Sequence, residues 1–98
     1  MIKTIKVLEC GGSMYVIIVY DVDVSRVSKI NKFLKQYLYW RQNSVFEGEL
    51  LNSQLEKIKK YINDFIEGED KIIIYVLPSK KNINIIEFGE SESIENII

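Results

Sequence analysis

Two segments of this chain are apolar at almost every position instead of at alternate positions. Residues 14–22 read Met-Tyr-Val-Ile-Ile-Val-Tyr-Asp-Val, and residues 70–77 read Asp-Lys-Ile-Ile-Ile-Tyr-Val-Leu. Runs of this length, rich in β-branched and aromatic residues, are typical of strands that are covered on both faces. The fold must therefore provide apolar cover for both sides of a sheet.

Helical spacing of apolar residues follows the first run. Steps of three and four extend from Ser25 to Leu38, and Ser25 is a suitable N-cap. A second helix is predicted over residues 52–66, where the segment from Ser53 to Glu56 fits a capping box. Residues 40–50, between the helices, are predicted to be extended and to be bent or broken near Gly48.

The end of the chain carries two further strand predictions. Pro78 stops the second apolar run, and residues 84–88 have a short strand pattern. Residues 91–98 are too apolar for a free terminus, so we expect a last short strand there. Together the elements predict an α+β, ferredoxin-like βαββαβ sandwich with both helices on one sheet face and an extra short C-terminal strand.

Two helices can cover only one face of this sheet, although both runs are apolar on both faces. A bare hydrophobic sheet face is an interaction surface. In a chain of 98 residues the simplest cover is the same face of a second copy. We therefore expect a homodimer that forms through the sheet face.

Composition limits the chemistry that this chain can perform. It has one cysteine and no histidine, which excludes an intrachain disulfide, a Cys/His zinc site and a Ser-His or Cys-His catalytic pair. Acid–base or metal chemistry therefore falls to carboxylates. With 13 basic and 14 acidic residues, binding of nucleic acid would have to come from local charge patterning.

Length and hydropathy predict one soluble, cytoplasmic domain with no membrane partner. No apolar run approaches the ~20 residues of a membrane span, and the start of the chain lacks a secretory core. Gly11-Gly12-Ser13 directly precedes Met14, where the first strand begins. We therefore interpret residues 1–13 as an N-terminal extension and residues 14–98 as a single domain.

Asp21 is the candidate catalytic and metal-binding residue. It lies near the end of the first apolar run, and Asp23 follows it. In the simpler interpretation, an acid here caps the next helix or faces solvent. In the functional one, Asp21 ligates Mg²⁺, which prefers oxygen ligands. A dimer that brings two copies of Asp21 together would supply two carboxylates, and metal-activated water could then attack a phosphodiester.

Basic residues recur every three positions on the first predicted helix, at Arg26, Lys29 and Lys32. They form either an ordinary solvated helix face or a row that contacts nucleic-acid phosphates. The lysines of the second helix, at positions 57, 59 and 60, are scattered around its polar side. We interpret these three as residues that keep the helix soluble.

An aromatic cluster and a pair of acids each have one structural and one functional interpretation. Tyr37, Tyr39 and Trp40 could stack on bases, but a corner that closes the core is the favoured interpretation. Glu47 and Glu49 point to one side of an extended segment. They either pair with a basic partner or protect an edge strand from aggregation.

Several short motifs together resemble one protein family. They are Tyr20-Asp21-Val22, Arg26-x-x-Lys29, Phe33-Leu34 and the string Gln-Asn-Ser-Val-Phe-Glu-Gly-Glu-Leu at residues 42–50. At this spacing they resemble the small CRISPR-associated adaptation protein, the second core Cas protein, of the CRISPR-associated endoribonuclease family. The likeness extends from Met14 to about Phe65. Arg41 departs from the family pattern, in which we expect an apolar residue before the glutamine.

The resemblance implies a homodimer that bridges two dimers of the CRISPR integrase subunit and holds double-stranded spacer DNA for insertion into the repeat array. It also implies, for some members, Mg²⁺-dependent endonuclease activity on RNA, including single-stranded RNA, or on DNA. The acid of the Tyr-Asp motif is then the metal ligand, which is Asp21 here. The residues leave open whether this chain is an enzyme.

Two other functions remain open at the level of sequence. One is a free-standing metal-dependent endoribonuclease, similar to an RNA-cleaving toxin of the same fold. The other is a ligand-binding regulatory module, because ferredoxin-like sandwiches carry many functions. The sequence offers no glycine-rich phosphate loop to line a small-molecule pocket.

Overall fold

The computed structural model describes residues 13–78 and 84–89. The elements in chain order are β1 (Ser13–Asp21), α1 (Val27–Leu34), β2 (Tyr39–Gln42), β3 (Val45–Leu51), α2 (Asn52–Phe65) and β4 (Lys71–Leu77). The strands form one antiparallel sheet in the order β2-β3-β1-β4. This topology confirms the ferredoxin-like α+β fold predicted from the sequence.

The hydrophobic core lies between the sheet and the two helices. Even-numbered residues of β1 face the helices, and Val16 and Ile18 are completely buried among them. The helices contribute Ile30, Leu34 and Ile58, each with no exposed surface. Each such side chain contributes roughly 1.5–3 kcal/mol of transfer free energy, so this layer fixes how the helices sit on the sheet.

A hairpin joins β2 and β3, where the sequence predicted one extended segment with a break near Gly48. The predicted position of the break is wrong, because the chain reverses at Asn43 and Ser44. Asn43 has a φ of +36°, in the left-handed region that asparagine tolerates. Gly48 lies inside β3, where a Cβ would lie 3.0 Å from Cδ2 of Leu38, tighter than most Cβ contacts.

Asp23, and not Ser25, caps the first helical segment. Its carboxylate accepts hydrogen bonds from the backbone N–H of Ser25, at 3.1 Å, and from the Ser25 hydroxyl. A 3₁₀ turn over Val24–Arg26 then leads into α1. The regular helix ends at Leu34, earlier than predicted. The apolar spacing continues to Leu38 because the chain leaves the helix through a turn in which the Leu38 N–H donates to the carbonyl of Leu34.

The start of α2 is stabilised by Gln54. Its Oε1 accepts a hydrogen bond from the N–H of Leu51 at 2.8 Å. This contact occupies one of the N–H groups that a helix terminus leaves without a partner. The predicted capping box at Ser53 is therefore displaced by two residues, because Leu51 is the residue that precedes the helix.

Residues 84–88 form no strand, so the prediction of a short strand there is wrong. Their side chains are exposed, and Glu87 forms an ion pair with Arg41 beside the β2–β3 hairpin. The segment therefore lies next to Arg41, Val45 and Glu47. Because a strand needs a neighbouring backbone to bond with, five residues held by side chains alone stay irregular.

Two predictions about the chain ends concern residues outside those that the structure describes. These are the N-terminal extension, apart from Ser13, which is the first residue of β1, and the last short strand over residues 91–98. Among the described residues, no helix has the length and apolar character that crossing a membrane requires.

Replacing Ile58 with alanine is expected to reduce the free energy of unfolding by about 2–5 kcal/mol, because the side chain is completely buried. Urea unfolding followed by circular dichroism measures the loss. Ile66→Ala is the matched control, since that side chain is 39% exposed just beyond α2, and it should lose much less. Equal losses in the two variants would contradict the placement of Ile58 in the core.

Candidate functional site on the open sheet face

The sheet face opposite the helices carries large apolar side chains, and we call it the open face. Odd-numbered residues of β1, β3 and β4 form it. One row of side chains crosses all four strands through Tyr39, Glu47, Ile17 and Tyr75. Tyr39 is 60% exposed and Tyr75 is 52% exposed. These two exposed rings lie on the edge strands β2 and β4, and exposed apolar side chains that share one sheet face are typical of an interaction surface.

Three polar residues on the open face, Tyr15, Arg41 and Glu47, interact with one another. Nε of Arg41 lies 3.0 Å from Oε2 of Glu47, and the Tyr15 hydroxyl also hydrogen-bonds to Glu47. Burial of the Tyr15 side chain, helped by the Glu47 carboxylate, raises its pKa to about 12. Arg41 therefore neutralises an acid on one of the two inner strands of this face.

Asp21 lies at the end of the open face, as the last residue of β1, and is exposed. Side chains alternate along a strand, so Asp21 projects to the open face when Tyr20 projects to the core. Its antiparallel partner is Lys71, the first residue of β4. Directly opposed residues have Cβ atoms about 5 Å apart. An acidic and a basic residue are therefore directly paired across the two strands at this end of the face.

Tyr20, the first residue of the Tyr-Asp motif, belongs to the core. It is 3% exposed, and its ring lies 6.3 Å from that of Phe46. Burial raises the pKa of its hydroxyl, which has no hydrogen-bond partner among the described residues. Tyr20 thus fixes the end of β1 by packing, and in this way it determines where Asp21 lies.

The loop after Asp21 is tied to the loop before β4 by Asp70. The Asp70 carboxylate accepts hydrogen bonds from the N–H of Asp23 at 3.3 Å, the N–H of Glu67 at 3.1 Å and the guanidinium of Arg26 at 2.5 Å. The bond from Arg26 is the main reason that the pKa of Asp70 is lowered. With its side chain only 5% exposed, Asp70 holds both loops in place.

Arg26 is occupied by the same loops. Its Nη2 donates to the carbonyl of Phe65 at 2.9 Å, and its Nε lies 3.3 Å from the Glu67 carboxylate. Its guanidinium carbon also lies 4.4 Å from the centroid of the Phe65 ring. A guanidinium with these contacts is a structural tie. A role of Arg26 in nucleic-acid binding stays a prediction, and it would have to coexist with this tie.

The other predicted phosphate contacts lie away from Asp21. Lys29 and Lys32 are exposed on α1, in the helix layer, whereas Asp21 is on the open face. The structure therefore brings only Arg26 into the cleft that Asp21 lines. The predicted metal ligand and most of the predicted basic row lie on opposite sides of the sheet.

The cleft beside Asp21 is acidic, but most of its carboxylates already have partners. Asp23 bonds to Ser25, and Asp70 bonds to Arg26. Hydrogen bonding to Ser25 is the main reason that the pKa of Asp23 is lowered. The described residues include no group of three or more His, Cys, Asp or Glu side chains that could hold a metal ion. Within one chain, Asp21 would thus supply a single carboxylate to a metal ion.

The predicted aromatic corner is divided between three environments. Nε1 of Trp40 donates to the carbonyl of Asn43 at 2.9 Å, which stabilises the hairpin. Tyr37 packs against Phe33, with ring centroids 5.4 Å apart, whereas Tyr39 is exposed on the open face. The favoured interpretation, core closure, describes Tyr37 and Trp40, since both pack against the core.

Sequence analysis missed Asp70 and Lys71. Both lie about fifty positions beyond Asp21 in the chain, so no local motif connects them. A signal was nevertheless present, because antiparallel pairing of the two apolar runs places the start of the second beside the end of the first. The predicted topology could have identified Lys71 as the neighbour of Asp21.

Comparison with known proteins identifies the family. The family profile described as CRISPR associated protein Cas2 matches residues 14–85. The chain belongs to the Cas2 family. It is 48% identical over 86 residues to the CRISPR-associated endoribonuclease Cas2 of Thermococcus kodakarensis, which covers 87% of this chain and 100% of that protein. It is 56% identical over 78 residues to the Cas2 endoribonuclease of Methanocaldococcus jannaschii. This match covers 79% of this chain and 68% of that protein.

Solved structures agree with the Cas2 assignment. A crystal structure of cas2 superposes with a TM-score of 0.75 at 46% identity and covers 83% of this chain and 92% of that chain. The crystal structure of the hypothetical protein TT1823 from Thermus thermophilus gives a TM-score of 0.69 at 27% identity. It covers 84% of this chain and 96% of that chain. The family predicted from the short motifs is therefore confirmed, as is its association with CRISPR systems.

Asp70→Asn is expected to lower the midpoint temperature of thermal unfolding near neutral pH, because the charge that pairs with Arg26 is lost. The folded-state pKa of Asp70 is lowered, so its carboxylate stabilises the fold above about pH 4, the ordinary carboxyl value. That stabilisation disappears as the pH falls below this value. Melting curves of wild type and variant should therefore converge below about pH 4.

Asp64→Asn is the control for this experiment, since Asp64 is an exposed carboxylate on α2. It should melt close to wild type throughout the same pH range. If Asp70→Asn differs from wild type by a constant amount at every pH, its effect comes from packing, and the charge pairing with Arg26 is not what stabilises the loops.

Proposed function

We propose that this Cas2 family member is a homodimeric subunit of the CRISPR adaptation complex. Two copies associate through their open faces, bind double-stranded spacer DNA and contact the CRISPR integrase subunit. Mg²⁺-dependent cleavage of RNA or DNA is a second, conditional activity of the same dimer. The open face carries the proposal, because association and the pairing of two Asp21 carboxylates both depend on it.

The open face has the properties of a self-association surface. Its apolar side chains include Ile73 and Tyr75, which are 37% and 52% exposed in one chain. Its central acid, Glu47, is already paired with Arg41. An ion pair can enter an interface at a modest net cost, whereas a lone carboxylate would cost several kcal/mol. These features support a second copy as the partner, since an isologous contact uses the same surface twice.

Asp21 is the residue that would hold Mg²⁺ in such a dimer. Mg²⁺ is usually bound by one or two carboxylates together with water and substrate phosphates, so two copies of Asp21 fit the ion better than one. When bound, the ion would activate water and offset phosphate charge. Lys71, the cross-strand neighbour of Asp21, would contact the phosphate of the substrate.

The Thermococcus and Methanocaldococcus relatives are named endoribonucleases, which supports RNA as one substrate. The chain has no histidine, so hydrolysis at Asp21 would depend on metal-bound water alone. Scaffolding requires only the dimer and basic surface. For this reason we propose scaffolding as the main function. A free-standing endoribonuclease is the alternative function, and the Asp21 experiment tests it.

Tyr75→Glu is expected to weaken dimerisation at least about 100-fold, because breaking an apolar contact with an unpaired buried charge costs roughly 3 kcal/mol or more. Sedimentation equilibrium measures the dissociation constant. Val76→Glu is the matched control: Val76 is 51% exposed, is the next residue on the same strand, and faces the helix side. A monomeric wild type, or equal weakening in both variants, would overturn the open-face dimer.

Asp21→Asn is expected to reduce Mg²⁺-dependent cleavage of single-stranded RNA by more than about 100-fold, since losing even an outer-shell partner of a metal ligand costs roughly 10–100-fold. Spacer insertion with the integrase partner should remain, because Asp21 has no part in scaffolding. Gel assays of cleavage and of insertion measure the two activities. If both are lost while the dimer persists, the scaffold proposal is wrong.

A further inference from the structure

A continuous row of aromatic rings connects the two helices. The rings of Phe33 and Tyr61 are stacked, with centroids 3.6 Å apart and planes inclined by 6°. Tyr37 continues the row beyond Phe33 at 5.4 Å, and Phe65 continues it beyond Tyr61 at 5.7 Å. Arg26 ends the row over the ring of Phe65. The row brings the facing sides of α1 and α2 into direct contact.

Two lysines occupy equivalent positions beside each ring of the central stack. One precedes the ring by four residues and the other by one residue, both on Phe33 of α1 and on Tyr61 of α2. With 3.6 residues per turn, these positions lie about 40° and 100° from the ring around the helix. All four side chains are exposed. We call this group the four-lysine surface; its members are Lys29, Lys32, Lys57 and Lys60.

The charge of the four-lysine surface is not neutralised within the part of the chain that the structure describes. None of its members takes part in an ion pair there. Lys59, on the same helix, is different, since it pairs with Glu56 at 3.1 Å. Asp64 is an exposed acid on the same side of α2, four residues after Lys60 and three after Tyr61. Four cations against one acid make this region attractive to a polyanion, although the whole chain has a formal charge of -1.

The ring stack indicates which polyanion fits. Proteins hold single-stranded nucleic acid largely by stacking its bases on available aromatic faces. Phe33 and Tyr61 stack on each other, and each has a further ring beyond it. The two central rings therefore stack on each other instead of standing free to stack on bases. Lysines contact phosphates as point charges without reading sequence, which matches the backbone of a duplex.

We propose that the four-lysine surface contacts the phosphate backbone of duplex DNA, and that Lys57 and Lys60 of α2 contribute to it alongside α1. The proposal rests on the duplex binding proposed above. It adds α2, whose lysines are interpreted from the sequence alone as residues that keep the helix soluble. The helices lie on the sheet side opposite the open face. A dimer formed through the open face therefore leaves one such surface on each outer side.

Lys57→Gln/Lys60→Gln and Lys29→Gln/Lys32→Gln test the two halves of the surface. Affinity for a short duplex of arbitrary sequence is measured by fluorescence anisotropy over a salt series. Log affinity falls linearly with log salt, and each lost phosphate contact reduces the magnitude of this slope, which is the slope compared below, by roughly 0.9. Each double variant is therefore expected to lower the slope by about one to two units.

Lys35→Gln/Lys59→Gln is the matched control. It removes the same charge, but both positions lie two residues from a stacked ring, about 160° around the helix from it. Its slope should stay close to that of wild type. If the control lowers the slope as much as the α2 pair does, the effect comes from bulk charge and the surface is not a site.

The outcomes separate this inference from the proposed function. If wild type binds no duplex, both fail. If the α1 pair lowers the slope while the α2 pair leaves it unchanged, duplex binding stands and the four-lysine surface is wrong. The same series with single-stranded RNA decides the partner, because a change confined to RNA would overturn duplex DNA as the occupant. Melting temperatures of all variants verify that each remains folded.

Discussion

Every functional feature of this chain depends on the position of β1 at the centre of the sheet. It is bonded to β3 on one side and to β4 on the other, so its backbone is satisfied and only its side chains differ in surroundings. Alternation sends Val16 and Ile18 into the core and Ile17 to the open face. At the end of the strand the same alternation buries Tyr20 and exposes Asp21. Core packing, part of the open face and the candidate metal ligand thus come from one nine-residue strand.

Beyond the end of β1 only partly buried residues such as Val22 still pack against the core, and charged groups contribute hydrogen bonds and ion pairs that hold the loops. Asp70 accepts hydrogen bonds from two backbone N–H groups and from Arg26. These contacts fix the two loops that flank Asp21 without using Asp21 itself. The acids near the candidate site therefore have different tasks: Asp23 caps a helical turn, Asp70 ties the loops, and Asp21 is left facing outward at the open face.

The sequence predicted the parts of the fold that follow from periodicity. Both apolar runs are strands and both predicted helices are present. These elements could be predicted because the spacing of buried residues such as Ile18 and Ile58 follows the period of the element. The hairpin was misplaced because Gly48 looked like a breaker, whereas its role is to leave room for Leu38. The sequence predicts Arg26 either as part of a solvated helix face or as a phosphate contact, and it does not reveal the tie to Asp70, because Asp70 lies 44 positions away. Contacts between distant loops leave no periodic signal, so they could not be predicted.

The string at residues 42–50 identified the family although it contributes no candidate catalytic residue. Its residues are restricted for separate physical reasons: Asn43 forms the turn, Phe46 is completely buried, and Glu47 is paired with Arg41. In this segment, neighbouring positions contribute to the turn, to the core and to the open face, so a substitution at any of them disturbs one of these three contacts. Such a segment is informative about relationship and about association, and it says little about chemistry. The chemistry has to be sought where the chain leaves the sheet, at Asp21, and on the outer helices, where charge is left without a partner in the described chain.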